Sequence, residues 1–221
     1  MVYQIHHQHP WAVSPSEAVQ IQQQLAGLVR EVPLARSVET VAGVDVSVRG
    51  DRVQTAIVVV RLPGLEVVDE AVWRGPVAYP YVPGLLSFRE MPALLPALER
   101  LCVLPDVFMT DSQGRAHPRR FGLACHLGVL LDRPALGVAK SRLTGRFEGL
   151  KMEKGERVPL LDRGAVIGAV IRTRTKVKPV YVSVGHRITL EEAVHLTLAC
   201  TTRYKIPEPT RLAHLLSRRK G

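Results

Sequence analysis

Three strand-like runs, Val41–Val48, Val53–Leu62 and Glu66–Trp73, follow one another with Gly50-Asp51 and Pro63-Gly64 as the turns between them. Connections this short join neighbouring antiparallel strands, so the first half of the chain is a meander. Beyond it the pattern changes. Phe88–Cys102 carries Leu94, Leu95, Leu98 and Leu101 at helical spacing, and Val107–Met109 reads as a short buried strand ending at Asp111. Pro118–Leu131 reads as a helix and Ala135–Ala139 as another strand. Strands alternating with helices imply parallel additions to the sheet. A second meander, Arg157–Leu161, Ala165–Arg172 and Val180–Val184, precedes a helix that starts at Thr189 and runs to about Arg203. A short last helix reaches His214. Near the start, Ser14-Pro-Ser-Glu17 is a capping box with proline at the first helical position, opening an amphipathic helix over 15–31. With no internal repeat or linker, residues 1–221 form a single α/β domain, and 1–13 is expected to be a loosely ordered amino-terminal segment.

Hydrophobic residues make up 46% of the chain, enough for a core. Thirty Lys and Arg against 20 acids leave a net charge of +10, which points to a polyanionic partner such as nucleic acid. The longest apolar runs are far below the ~20 residues of a membrane span, and residues 1–11 lack a signal-peptide core. No membrane association is expected. Cys102, Cys125 and Cys200 are widely spaced among apolar neighbours and read as reduced core thiols, so the expected location is cytoplasmic. His6, His7 and His9 read as a solvated terminus.

Asp45 lies within Val-Ala-Gly-Val-Asp-Val-Ser-Val, where alternation puts Val44, Val46 and Val48 on one face and Gly43, Asp45 and Ser47 on the other. A carboxylate central in a strand needs a metal or an ion-pair partner. Asp111 ends an apolar strand, at the edge where α/β sheets place their sites; a turn-forming role is the alternative. Glu90 closes Tyr79-Pro-Tyr-Val-Pro-Gly-Leu-Leu-Ser-Phe-Arg-Glu90. There, prolines on either side of Tyr81 stiffen an extended spur, unless Tyr81 packs on the core. Three acids on separate elements, without zinc spacing among Cys and His, suggest a hard cation, Mg²⁺ or Mn²⁺. His117-Pro-Arg-Arg120 at a helix start offers Arg119 and Arg120 to phosphate, and Lys140 at a strand end offers a point charge.

Taken together these segments resemble endonuclease V. The resemblance rests on Val-Ala-Gly-Val-Asp (41–45), Pro-Tyr-Val-Pro-Gly-Leu-Leu-Ser-Phe-Arg-Glu (80–90) and Ala-His-Pro-Arg-Arg-Phe-Gly-Leu-Ala (116–124). Gly-Val-Ala-Lys-Ser (137–141) and Pro-Glu-Pro-Thr-Arg-Leu-Ala-His (207–214) extend it in the same order. It implies a ribonuclease H-like fold, a mixed central sheet flanked by helices. It implies Mg²⁺-dependent nicking one nucleotide 3′ of a deaminated base, chiefly deoxyinosine, in the service of DNA repair. Mn²⁺ is expected to substitute, and the protein to act as a monomer. Asp45, Glu90 and Asp111 then become the metal-binding acids, with Lys140 and His214 completing the catalytic set. Pro80, Tyr81, Val82 and Pro83 become the wedge. Gly84, Leu86, Ser112, His117 and Leu123 become the base pocket.

One departure stands out. Where the resemblance leads one to expect Asp-Gly before Gln-Gly, this chain has Asp111-Ser112-Gln113-Gly114. Ser112 is expected to narrow the pocket or add a hydrogen bond, or else to turn its hydroxyl to water. Two other readings compete with DNA repair: the same chemistry on inosine-containing RNA, and a non-catalytic basic nucleic-acid-binding module. Acids facing phosphate without a cation would repel it, which counts against the module.

Overall fold

The computed structural model describes residues 3–219. Eight strands form one mixed sheet in the order β3-β2-β1-β4-β5-β8-β7-β6. The first meander is β1 (Thr40–Arg49), β2 (Arg52–Arg61) and β3 (Glu66–Pro76), all antiparallel. Strands β4 (Val107–Thr110) and β5 (Ala135–Ala139) add in parallel beside β1. Strands β6 (Arg157–Asp162), β7 (Ala165–Ile171) and β8 (Val180–His186) return antiparallel as the second meander.

Period-two alternation sorts the strand residues into two cores. Val41, Ala56 and Val58 face helices α4 (Leu190–Ala199) and α5 (Glu208–Ser217), meeting Ala193, Val194, Ala213 and Leu216. Ala42, Val44, Ile57 and Val59 face α2 (Leu86–Leu98) and α3 (Leu123–Leu131), meeting Met91, Leu94, Leu127 and Leu130. Helix α1 (Pro15–Ala26) lies outside α3, with Leu25 against Phe121, Cys125 and Val129. Its capping box forms as expected, Ser14 accepting from the Glu17 N–H and Glu17 reaching back to the Ser14 N–H.

Helix ends depart from expectation where local backbone overrides the apolar pattern. Gly27 caps α1 well short of residue 31. Helix α3 begins at Leu123 and not at Pro118, because Arg120 takes a φ of 59° and Gly122 is extended. Gly122 must be glycine there: a Cβ would sit 2.2 Å from the Gln113 carbonyl oxygen. Cys125 and Cys200 are buried as expected, but Cys102 is exposed.

The amino-terminal segment is anchored, contrary to the expectation of loose order. The His6 N–H donates to the Leu130 carbonyl at 2.7 Å, Tyr3 meets Phe108 edge to face, and Trp11 packs on Phe88. His9 is held against His126 and is not a solvated terminal group. Met1 and Val2 lie outside the described residues. Among those described, no helix is long and apolar enough to cross a membrane.

Candidate active site

Strands β1 and β4 pair in parallel only as far as Val44 and Thr110. Asp45 and Asp111 are the next residues, so both carboxylates stand where the two strands part. This is the carboxyl edge at which α/β sheets bind ligands. Helix α5 brings in the third group. Ligand atoms of Asp45, Asp111 and His214 all lie within 4.8 Å of one another. His214 Nδ1 is 3.3 Å from Asp45 Oδ1, and Ser217 Oγ donates to Asp45 Oδ2 at 2.5 Å. Two oxygens and an imidazole nitrogen, partly buried and convergent, form a donor set that fits a divalent cation.

Glycine at position 43 makes this approach possible. A Cβ there would lie 2.0 Å from the Pro209 carbonyl carbon and oxygen, so the first turn of α5 rests directly on β1 backbone. Ser217, one turn after His214 on the same helical face, was not anticipated from sequence. The i, i+3 spacing was the available signal.

Glu90 enters from α2 and lines the same cleft as Asp45 and Asp111. Burial, reinforced by the Asp45 and Asp111 charges, pushes its carboxyl up to about 8. Burial also raises Asp111, and Lys140 opposes that rise by pairing with it directly. Buried carboxyls at Glu90 and Asp111, raised by desolvation and by neighbouring acids, make a centre that is more stable with a cation present.

A separate cavity of about 120 Å³ adjoins the spur. Its walls include Gly84, Leu86, Ser112, His117 and Leu123, all five of the expected pocket residues, together with Gln22, Ser87, Gln113, Gly122 and Leu143. Ser87, Gln113 and Gly122 sit inside or beside the motifs already singled out, whereas Gln22 and Leu143 carried no sequence signal. Leu86 and Leu123 open α2 and α3, and neither N-cap residue bonds its helix through a side chain. Backbone carbonyls take up part of that demand, since the Phe88 N–H donates to Leu85 at 3.0 Å and the Ala124 N–H to Gln113 at 3.1 Å. Ser112 is buried with an ordinary negative-φ backbone, and its Oγ lies 2.8 Å from Thr110 Oγ1. Its hydroxyl thus faces inward, not to water.

Tyr81 stands at the mouth of this cavity, 66% exposed, with the Arg89 guanidinium 5.8 Å from its ring centroid. Pro80 and Pro83 are exposed beside it. Val82 turns inward and, with buried Tyr79, packs near Phe88. So it is Tyr79 that joins the core, and Tyr81 projects.

Gly84, at a φ of 79°, anchors the spur through its carbonyl oxygen. That oxygen receives Gln22 Nε2 at 3.1 Å, His117 Nε2 at 3.1 Å and an Arg119 Nη2 at 2.6 Å. His117 Nδ1 accepts from the Arg119 N–H, so the ring is a neutral Nε2–H tautomer. Burial and the nearby Arg119 charge hold it down at about 4. Arg119 and Arg120, the two arginines expected at phosphate, both engage protein groups in this structure. Arg119 is turned inward to Gly84 and Gln22, and Arg120 pairs with Asp162 at 2.6 Å. Neither stands in a helix first turn, because α3 starts after them. Lys140 alone of the three cations reaches the acidic centre.

The profile of the endonuclease V family matches residues 23–215. A relative of that name from Trichormus variabilis is 48% identical over 217 residues, 97% of this chain and 98% of its own. The crystal structure of endonuclease V from Streptomyces avermitilis superimposes with a TM-score of 0.90 at 43% identity, covering 99% of this chain and 96% of that one. Endonuclease V of Ciona intestinalis, in complex with a 24mer DNA containing an inosine followed by a ribo-adenosine, gives 0.80 at 28% identity over 92% and 95%. The fold is ribonuclease H-like, and the chain belongs to the endonuclease V family and is an endonuclease.

Proposed function

We propose that the protein extrudes deoxyinosine from duplex DNA and nicks the strand one nucleotide 3′ of it, acting as a monomer to initiate repair. The observation that carries this reading is the pairing of two sites: an acidic centre at the strand edge and a base-sized cavity beside an exposed aromatic spur. Asp45, Asp111 and His214 would hold the cation, with Glu90 in the same cleft. Mg²⁺, or Mn²⁺ in its place, supplies Lewis acidity and activates water against a phosphodiester. Ser217 and His214 orient the Asp45 carboxylate from either oxygen. Lys140 offers its ammonium to the scissile phosphate while holding Asp111. Tyr81 stacks in the gap left by the departed base, offsetting an unstacking cost of a few kcal/mol.

The test uses matched duplexes with inosine or guanine at one position, with Mg²⁺ or EDTA, and sizing of labelled strands. Cutting is expected only of the inosine strand and only with the metal. Asp45→Asn and Asp111→Asn are expected to bind the inosine duplex and leave it intact. Equal cutting of the guanine duplex, or cutting in EDTA, refutes the proposal. Binding without any product supports the non-catalytic module. An RNA arm is warranted because the Ciona relative accommodates a ribo-adenosine after its inosine. Faster cutting of inosine RNA than of inosine DNA would make RNA the main substrate.

A further inference from the structure

A chain of three polar side chains, His9, His126 and Ser87, runs from the amino-terminal segment to the wall of the base-sized cavity. His9 Nδ1 lies 2.9 Å from the Pro10 carbonyl oxygen, which can only accept, so Nδ1 carries a proton. Burial keeps this imidazole below its ordinary range, so the ring is neutral near pH 7 and its Nε2 is a bare acceptor. His126 Nε2 is 2.7 Å from that nitrogen and must therefore donate to it. His126 is wholly buried, and burial holds it well below the usual range, so it too is neutral and its Nδ1 is bare. Ser87 Oγ, 2.9 Å away, is left as the donor to Nδ1. Every proton in the chain is thereby assigned: Ser87 to His126, His126 to His9, His9 to Pro10.

The surroundings hold this polarity in place. Trp11, Phe88 and Phe121 pack around the His126 ring at centroid separations of 5.2, 5.5 and 5.1 Å. Water competes poorly inside such an aromatic box, so the hydrogen bonds there are hard to exchange. Ser87 is buried and lines the cavity. A hydroxyl has one proton, and this one is spent on His126. What Ser87 has left for the cavity is lone pairs only.

We propose that Ser87 selects the extruded base by accepting a hydrogen bond from a ring N–H, and that His126 and His9 are positioning residues that lock its hydroxyl in the accepting sense. This deepens the reading of the cavity as a base pocket and rests on it. Hypoxanthine carries a proton at N1, whereas adenine carries a lone pair there and would meet Ser87 acceptor to acceptor. The device separates a deaminated adenine from its parent. It does not separate hypoxanthine from guanine, which shares the N1 proton.

Single-turnover cutting of two duplexes tests the proposal, one with hypoxanthine and one with unsubstituted purine, which has an N1 lone pair, at the same position. Ser87→Ala is expected to lower the hypoxanthine-to-purine rate ratio by roughly 2- to 12-fold, the loss of one hydrogen bond. His126→Phe keeps the ring volume and frees the Ser87 hydroxyl to rotate, and should lower the same ratio by less. The ¹⁵N shifts of the His126 ring in the wild-type protein give an independent readout, with Nε2 protonated and Nδ1 bare. A protonated Nδ1, or an unchanged ratio in Ser87→Ala, overturns the proposal even if His126→Phe fails to fold. A wild-type protein inert on hypoxanthine overturns the proposed function and this selection with it. An active wild type with an unmoved ratio overturns the selection alone.

Discussion

Gly43→Ala should disable the acidic centre without touching any of its groups. The added methyl would lie 2.0 Å from the Pro209 carbonyl carbon and oxygen and 2.5 Å from the Thr210 nitrogen. These are backbone atoms and have no rotamer to escape into. Restoring an ordinary 3.4 Å contact requires the first turn of α5 to retreat by about 1.4 Å. Helix α5 carries His214 and Ser217, whose bonds to Asp45 are 3.3 and 2.5 Å long. A displacement of that size breaks both. Overpacking of this kind costs about 1–3 kcal/mol, and misplacing a reacting group by about 1 Å costs on the order of 10²-fold in rate. Urea titration together with single-turnover nicking of an inosine duplex measures the two effects on one protein. Affinity for the duplex should be preserved, because the cavity and Tyr81 lie on other elements. A variant with wild-type stability and a rate within threefold of wild type would refute the claim that close β1–α5 approach sets the site.

Tyr81→Ala should weaken binding to an inosine duplex by about 1–3 kcal/mol while leaving salt-dependent binding to undamaged duplex unchanged; paired titrations decide it. Ser112→Gly removes the bond to Thr110 and adds backbone freedom, so stability should fall by about 1 kcal/mol. Its cutting ratios among hypoxanthine, xanthine and uracil should change by more than its maximal rate on inosine does. His117 is neutral in the folded protein, held at about 4, whereas in the unfolded chain it titrates near its ordinary 6.5. The unfolded state therefore takes up the proton first as pH falls, and stability is lost between about 6.5 and 4 by up to about 3 kcal/mol. His126, His9 and His186 act in the same direction. Denaturation of His117→Gln across that range should show a shallower slope.

What could be read from sequence was whatever a local period or a short motif encodes. Alternation around Asp45 gave the face of β1 that meets α5, and all eight strands lie where their apolar runs and turns put them. The failures have physical causes. His117-Pro-Arg-Arg looks like a helix start and is not one. The left-handed backbone at Arg120 and the contact at Gly122 delay α3 by five residues, and neither is visible in composition. Ser217 was missed because the last helix was expected to reach only His214. Gln22 could not be found at all, since its bonds to Gly84 and Phe121 span 62 and 99 residues. The amino-terminal segment looked polar and frayed, yet its imidazole and indole groups fill a gap beside Phe88 that only the folded chain creates.

The Gly84 carbonyl has two lone pairs and three donors converging on it, so one donor is always in surplus. An anchor built this way tolerates damage. Losing either Gln22 or His117 still leaves two donors, and the spur should hold its place at little cost. Losing both should cost far more than the two separate losses added together. A scan of single substitutions at the residues that secure the spur would therefore score each as dispensable. Only the double substitution Gln22→Ala with His117→Ala should expose the fastening, as a coupling of about 0.5–3 kcal/mol in a double-mutant cycle.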